Sequence, residues 1–185
     1  KTGTITRGQP EVTDILPVSN DVDANWFEMA ASLEKFSEHP LGEAIVAEAG
    51  NRSIKLVEPD SFTSETGLGV QGVVKGNNVI VGNQRMMKQY QVAFSALDQR
   101  IAELQKAGKT LAFVALDGKL AGLIAIADQV KEGSPEAIKA IHDLGLEVVM
   151  ITGDNNPTAD AVASQVGVDR VLAEVLPADK VAEVK

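Results

Sequence analysis

The chain has 185 residues, 44% hydrophobic and 23% charged, the composition of a globular protein with room for one ordinary domain or two small ones. Lys and Arg number 17 against 26 Asp and Glu, and the net charge of −9 disfavours broad electrostatic binding to nucleic acid or anionic lipid. The absence of Cys excludes disulfides and thiolate chemistry, two His leave little for a zinc site, and no apolar run nears the roughly 20 residues of a membrane span, so the chain reads as cytosolic in character.

Alternation over Glu11–Val18 predicts a strand. Trp26, Met29, Ala30, Leu33 and Phe36 recur at helical spacing and predict a helix over 23–36 with one buried face. Pro40 suits the first turn of a second helix, Leu41–Ala49, which Gly50-Asn51 should end. From Ser61 on, β-branched runs alternate with glycines, and Gly76-Asn77-Asn78 reads as a hairpin turn. Helices are expected around Arg85–Tyr90 and Phe94–Lys106, the latter closed by Gly108. Leu111–Leu116 and Leu120–Ala127 flank Asp117-Gly118, the strongest hairpin signal in the chain. The middle is thus an antiparallel sheet with helices, an α+β module.

After Asp128 the pattern changes. Ser134 as N-cap and Pro135 at the first helical position predict a helix to Leu144, ended by Gly145. A near-continuous apolar strand follows over Glu147–Ile151, then a helix over 157–166, a strand near Val171 and a further helix. This order predicts a parallel, doubly wound α/β layer covered on both faces, with a boundary near Asp128. The chain opens on Lys1 without Met and stops in an unfinished helical pattern at Lys185, as an excised piece of a longer protein would.

Several short segments could carry chemistry. Thr152-Gly153-Asp154 follows the buried strand, where open α/β sheets bind ligands; there Asp154 can orient a phosphate or hold Mg²⁺ while Thr152 and the Gly153 amide cradle phosphate oxygens. The alternative is an Asx-type turn capping the next helix. Lys180, after Pro177-Ala178-Asp179, is either a phosphate counter-charge or a solvated lysine. Gly67-x-Gly69-x-x-Gly72 has dinucleotide-binding spacing, but it runs into a hairpin instead of opening a helix, so that reading fails. What survives is close backbone approach to a ligand at Gly67 and Gly69, or an ordinary bulge. His39 could stack on a flat ligand or simply cap a helix, and Glu34 five residues earlier could face the same pocket. His142 reads as structural.

Taken together and in order, these segments resemble the heavy-metal-transporting branch of the P-type ATPases. Lys1-Thr2-Gly3-Thr4-Ile5-Thr6 is similar to the stretch that follows the phosphorylated aspartate. Ser37-Glu38-His39-Pro40-Leu41 resembles that branch's His-Pro motif, Gly67-Leu68-Gly69 with Gly72 its nucleotide-site glycines, and Gly82-Asn83 its Gly-Asn step. Thr152-Gly153-Asp154 and Pro177-x-x-Lys180 match the phosphorylation-domain motifs.

The resemblance implies a nucleotide-binding domain over 8–127, inserted in a haloacid-dehalogenase-like phosphorylation domain made of 1–7 and 128–185. Glu34, His39 and Pro40 would hold the adenine of ATP, with Gly67, Gly69, Gly72, Gly82 and Asn83 around the nucleotide. Lys1, Thr2, Thr152, Gly153, Asp154 and Lys180 would surround the phosphoryl group, Thr2 also meeting Mg²⁺ through its backbone. The nucleophilic aspartate would stand just before Lys1 and the main magnesium ligands beyond Lys185, so the chain is expected to bind ATP without turning it over, its phosphorylation part incomplete. The whole protein would be an inner- or plasma-membrane pump with this region on its cytoplasmic side, partnered by its own transmembrane and actuator domains, with no nucleic acid and no direct membrane contact here. The wider pattern looks most like the copper(I) exporters, with Cu⁺ not bound by this region. Zinc, cadmium and cobalt pumps share the His-Pro signature, and a haloacid-dehalogenase-type phosphatase with a large cap is the other alternative.

Overall fold

The computed structural model describes residues 1–19 and 25–175. Eight strands and six helices follow in the order β1 (Thr6–Pro17), α1 (Trp26–Glu34), α2 (Pro40–Asn51), β2 (Ser61–Glu65), β3 (Gly69–Val74), β4 (Asn77–Gly82), α3 (Gln84–Gln89), α4 (Asp98–Lys106), β5 (Thr110–Leu116), β6 (Lys119–Val130), α5 (Ser134–Asp143), β7 (Val149–Ile151), α6 (Asn156–Val166) and β8 (Arg170–Leu172). The architecture is mixed α/β. Six strands form one sheet in the order β1-β6-β5-β4-β3-β2, antiparallel through β2, β3, β4 and β5, and β7 pairs in parallel with β8.

Two compact units divide the chain. One holds Pro10–Ile101 and Leu111–Ile126; the other holds Lys1–Gln9, Ala102–Thr110 and the chain from Ala127 onward. In the first, α1 and α2 pack on one face of the sheet. Met29, Ala30 and Leu33 from α1 and Ile45 and Ala49 from α2 meet Val70, Val74, Val79, Val81 and Val114, every one of them nearly inaccessible to solvent. Alternation puts every second residue of β3 and β4 on that face, which is why one-sided apolar patterning sufficed to specify it. Gly122 lies under the Trp26 ring, whose nearest carbon is 2.7 Å from where a β-carbon would sit, so only glycine lets this helix settle on β6.

The second unit has a smaller core: Met150, Ala159, Val162 and Ala163, with Ile5, Val130, Val168 and Val171 packed against it. β7 has three residues, and Val149 on it is 40% exposed; Ile141, Leu144 and Leu146 are exposed as well.

Other departures are local. The β3–β4 turn is Lys75-Gly76, one residue earlier than expected, with φ of 52° and 77°, and Asn77 and Asn78 already belong to β4. A two-residue turn of type I′, whose twist matches that of the strands, needs both central residues left-handed. Lys75 accepts that conformation while its ammonium reaches Glu28 at 2.6 Å. α2 runs past Gly50 to Asn51, with Arg52 as C-cap. Gly133, at φ 87°, is the N-cap of α5, so Ser134 is inside the helix and its hydroxyl donates to the Ile5 carbonyl at 2.9 Å. Phe36 lies beyond the end of α1 and is 44% exposed instead of buried. The further helix expected after β8 lies outside the described residues.

Candidate functional site

The first group of site residues stands where α1 gives way to α2. Glu34 ends α1 and is only 7% exposed. Burial pushes its carboxyl up to about 7, while a hydrogen bond with the Ser37 side chain acts in the opposite sense. Gly42, in the first turn of α2, leaves room for that carboxyl: a β-carbon there would lie 2.4 Å from Glu34 Oε2 and 3.2 Å from Ser37 Oγ. His39 is the N-cap of α2; its Nδ1 accepts from the Leu41 amide at 3.2 Å, and its own amide donates to Ser37 Oγ at 3.2 Å. The cap engages Nδ1 alone of an exposed imidazole, and Pro40 stands at the first helical position, where no amide donor is needed. Ser37, which joins Glu34 to His39, was not singled out in the sequence.

A second group gathers at the β3–β4 end. Gly69 and Gly82 face each other across the two strands. A β-carbon on Gly69 would lie 2.2 Å from the Val81 carbonyl oxygen, and its φ of 151° favours glycine; one on Gly82 would meet the Leu68 carbonyl at 2.7 Å. Through this narrow pair Asn83 ties the turn down. Its amide donates to Leu68 at 2.9 Å, its side-chain nitrogen donates to the Gly67 carbonyl at 2.8 Å, and its Oδ1 accepts from Met86 as the N-cap of α3. Gly67, at φ 73°, has open space around it. Gly72 belongs to packing: its missing side chain makes room for Leu33 and the Ser61 carbonyl. Leu33 thus links α1, one residue before Glu34, to the strand that carries these glycines. A cleft of about 550 Å³ elsewhere on this sheet is lined by Gln71, Asn78, Tyr90 and Asp117, and Gly72 is the one expected nucleotide residue along it.

The third group lies in the other unit, at the carboxyl end of β7. Thr152 is 3% exposed and its amide donates to the Leu172 carbonyl at 2.9 Å, pinning the strand end to β8. Asp154 Oδ2 accepts from Thr152 Oγ1 at 2.7 Å and from Lys1 Nζ at 2.5 Å. The Lys1 side chain is 6% exposed, so residues 153 positions apart form a half-buried ion pair with a hydroxyl on it. Asn155, not Asp154, caps α6, which removes the capping alternative for Asp154. Gly153 is exposed beside them, and Thr2 is exposed in the opening turn. Lys180 lies outside the described residues.

Sequence reading also missed Asp128. Its Oδ2 accepts from Thr6 Oγ1 at 2.5 Å and its Oδ1 from the Gly8 amide at 3.0 Å, holding the segment that leads from Lys1 into β1. An acid ending the apolar run of β6 was the only available signal. Among the described residues no three His, Asp or Glu gather as a metal site. Asp154 already serves Lys1 and Thr152, so these residues do not by themselves fit a magnesium cage.

A family model described as haloacid dehalogenase-like hydrolase matches residues 1–185. The chain belongs to the haloacid dehalogenase-like hydrolases. Within them it is 48% identical over all 185 residues to Copper-transporting ATPase 1 of Rhizobium meliloti, covering 22% of that protein. It is 40% identical over 184 residues to the Copper-exporting P-type ATPase of Bacillus subtilis, covering 23% of it. The chain therefore spans less than a quarter of the length of these curated relatives. Among solved structures, a zinc-transporting PIB-type ATPase in the E2.Pi state matches the whole chain and 30% of its own, at 33% identity and a TM-score of 0.72. The N-domain of a copper-transporting P-type ATPase matches 62% of this chain and 98% of its own, at 26% identity and a TM-score of 0.52. In a haloacid dehalogenase-like hydrolase the end of β7 is the natural place for Thr152 and Asp154, since ligands of open α/β sheets bind beyond the carboxyl ends of the strands.

Proposed function

We propose that this chain is the ATP-binding cytoplasmic region of a membrane P-type ATPase that couples ATP hydrolysis, through an aspartyl phosphate, to export of a heavy-metal cation, Cu(I). The observation that carries the reading is the junction of Lys1 with Thr152 and Asp154 at the end of β7. Two segments at opposite ends of the sequence meet there in the pattern a phosphoryl group needs. Copper is preferred to zinc because the curated relatives quoted, at 40% and 48% identity, are named for copper.

In this reading residues 8–127, which carry α1, α2 and β2–β5, are the nucleotide-binding domain, and 1–7 with 128–185 belong to the phosphorylation domain. Glu34 and His39 hold the adenine, and Gly67, Gly69 and Asn83 let the nucleotide approach the backbone. A carboxylate oxygen attacks the γ-phosphorus of ATP, the bond to the β–γ bridging oxygen breaks, and ADP leaves as the acyl phosphate forms. Lys1 supplies a cation toward the phosphoryl oxygens, Asp154 keeps it aimed, and Thr152, whose hydroxyl donates to Asp154, holds that carboxylate in place, an electrostatic role set before charge develops. Magnesium supplies further charge neutralisation when bound with ATP.

Calorimetric titration of this chain with ATP tests the reading. Saturable binding is expected with a dissociation constant of about 0.1–1 mM, equivalent to roughly 4–5.5 kcal/mol. Asp154→Asn should leave that affinity within about twofold, and no sustained ATP turnover should accompany it. No binding, or steady hydrolysis by the purified chain, contradicts the proposal.

A further inference from the structure

Glu34 is the one described acidic side chain that is buried. Among the described residues, the elements around it bring no cation against it; the segment after α2, whose Val57 amide donates to Ser32 of α1, carries Lys55 and Glu58, both exposed. β3 and β4, on which α1 packs, contain no titratable side chain. α1 contributes Glu28, which is paired with Lys75 at 2.6 Å. The connecting turn contributes Lys35, Glu38 and His39, all exposed. α2 contributes Glu43, exposed, and Glu48, which is paired with Arg52 at 2.7 Å. The groups in direct reach are uncharged: the Ser37 hydroxyl and the bare backbone of Gly42.

We propose that Glu34 meets the base as the neutral acid, so that adenine binding at this site takes up a proton and the preference for adenine over guanine is greatest below neutral pH. This rests on the nucleotide reading above. A neutral carboxyl offers one O–H donor beside one carbonyl acceptor. Adenine presents the complement on either edge, an N6–H donor beside an acceptor nitrogen, N1 or N7. An ionised carboxylate offers two acceptors: one takes the N6–H and the other faces a ring lone pair. Guanine is the reverse case, since its N1–H and N2–H donors match two carboxylate oxygens. Deprotonating Glu34 therefore weakens ATP and favours GTP together. Burial pushes this carboxyl up to about 7, which places the change within the working range of a cell. Gly42 fits the same picture, because the space it leaves accommodates the carboxyl without a counter-charge.

The test is a calorimetric titration of the native chain and of Glu34→Gln with ATP and with GTP, from pH 6.0 to 8.5. Glutamine keeps one donor and one acceptor and does not ionise. Native ATP affinity should fall as pH rises through about 7, approaching tenfold per pH unit at the upper end, with the ATP-to-GTP preference narrowing alongside. Glu34→Gln should hold ATP with an affinity that stays level across the range. In a ¹³C-carboxyl titration of the native chain, Glu34 should show a midpoint near 7 that moves upward when ATP is added, as reciprocity between ligand and proton requires. Native ATP binding that is level with pH, a fall shared equally by Glu34→Gln, or a Glu34 midpoint in the ordinary carboxylate range overturns the proposal while leaving the nucleotide site standing. Failure of both proteins to bind ATP at every pH overturns the proposal together with the reading on which it rests.

Discussion

At the end of α1 the Glu34 carboxyl is pushed up to about 7, against 4.5 for the free group, so between those values the folded chain holds a proton that the unfolded chain has lost. Stability must then fall as pH rises through this window and level off above it. A shift of that size is worth about 3 kcal/mol in total. Glu34→Gln removes the titration, so its unfolding free energy relative to the native chain should rise by about 3 kcal/mol between pH 4.5 and 8, read from denaturant unfolding at several pH values. A difference that does not change with pH would contradict the burial argument. Glu34 and His39 could be picked out as candidates in the sequence because they stand five residues apart, His39 within a local His-Pro motif. Ser37 was not, since its importance comes from accepting the His39 amide and from its bond to Glu34, which only the folded turn creates. Asn83 stood out in the sequence as a candidate, but its bond to Gly67 and its capping of α3 are tertiary facts.

Elements were legible where one physical signal dominated. Pro40 marked the start of α2, and Asp117-Gly118 marked the β5–β6 turn, where both residues are left-handed and Asp117 Oδ1 accepts from the Asn78 amide at 2.9 Å. Signals failed where two residues competed for one role. Gly133 took the capping position from Ser134 because the chain there turns left-handed, and the serine hydroxyl went to Ile5 instead. The segment between α5 and β8 depends on an acid that no local pattern announces. Asp169 accepts from the Val148 amide at 2.7 Å and lies 2.8 Å from His142 Nε2. The Val148 amide, and after it His142, hold the Asp169 carboxyl below the usual carboxylate range. Its contribution is therefore complete above the unfolded value and lost as pH falls through the lowered folded one. Asp169→Asn should speed amide exchange at Val148 at neutral pH, and the native chain should approach the variant's behaviour on acidification. Equal exchange in the two proteins at neutral pH would show that this acid does not hold the segment.

The two units differ in how much apolar surface they remove from water. One buries both helices against a broad sheet; the other gathers a smaller cluster around Met150, Ala159, Val162 and Ala163 and leaves Ile141, Leu144, Leu146 and Val149 partly in solvent. Stability follows buried apolar area, so thermal unfolding should proceed in two stages. NMR signals of Met150 and Ala163 should broaden at lower temperature than those of Val79 and Val114, and a single coincident transition would contradict this. The antiparallel sheet was legible at this scale because its hairpins are sequential and its face alternates. The exposure of Val149 on β7 was not, because an apolar run predicts burial without saying what provides it. The central claim is that Glu34, His39, Gly67, Gly69 and Asn83 form one adenine-nucleotide site. The most direct measurement is a heteronuclear NMR titration with ATP and with GTP, on the native chain and on His39→Ala. Saturable shifts at those five residues are expected with ATP, similar ones with ADP and AMP, far weaker ones with GTP, and loss of all of them in His39→Ala. ATP shifts that leave these residues untouched, or that fall only on Thr152 to Asp154, would contradict the account.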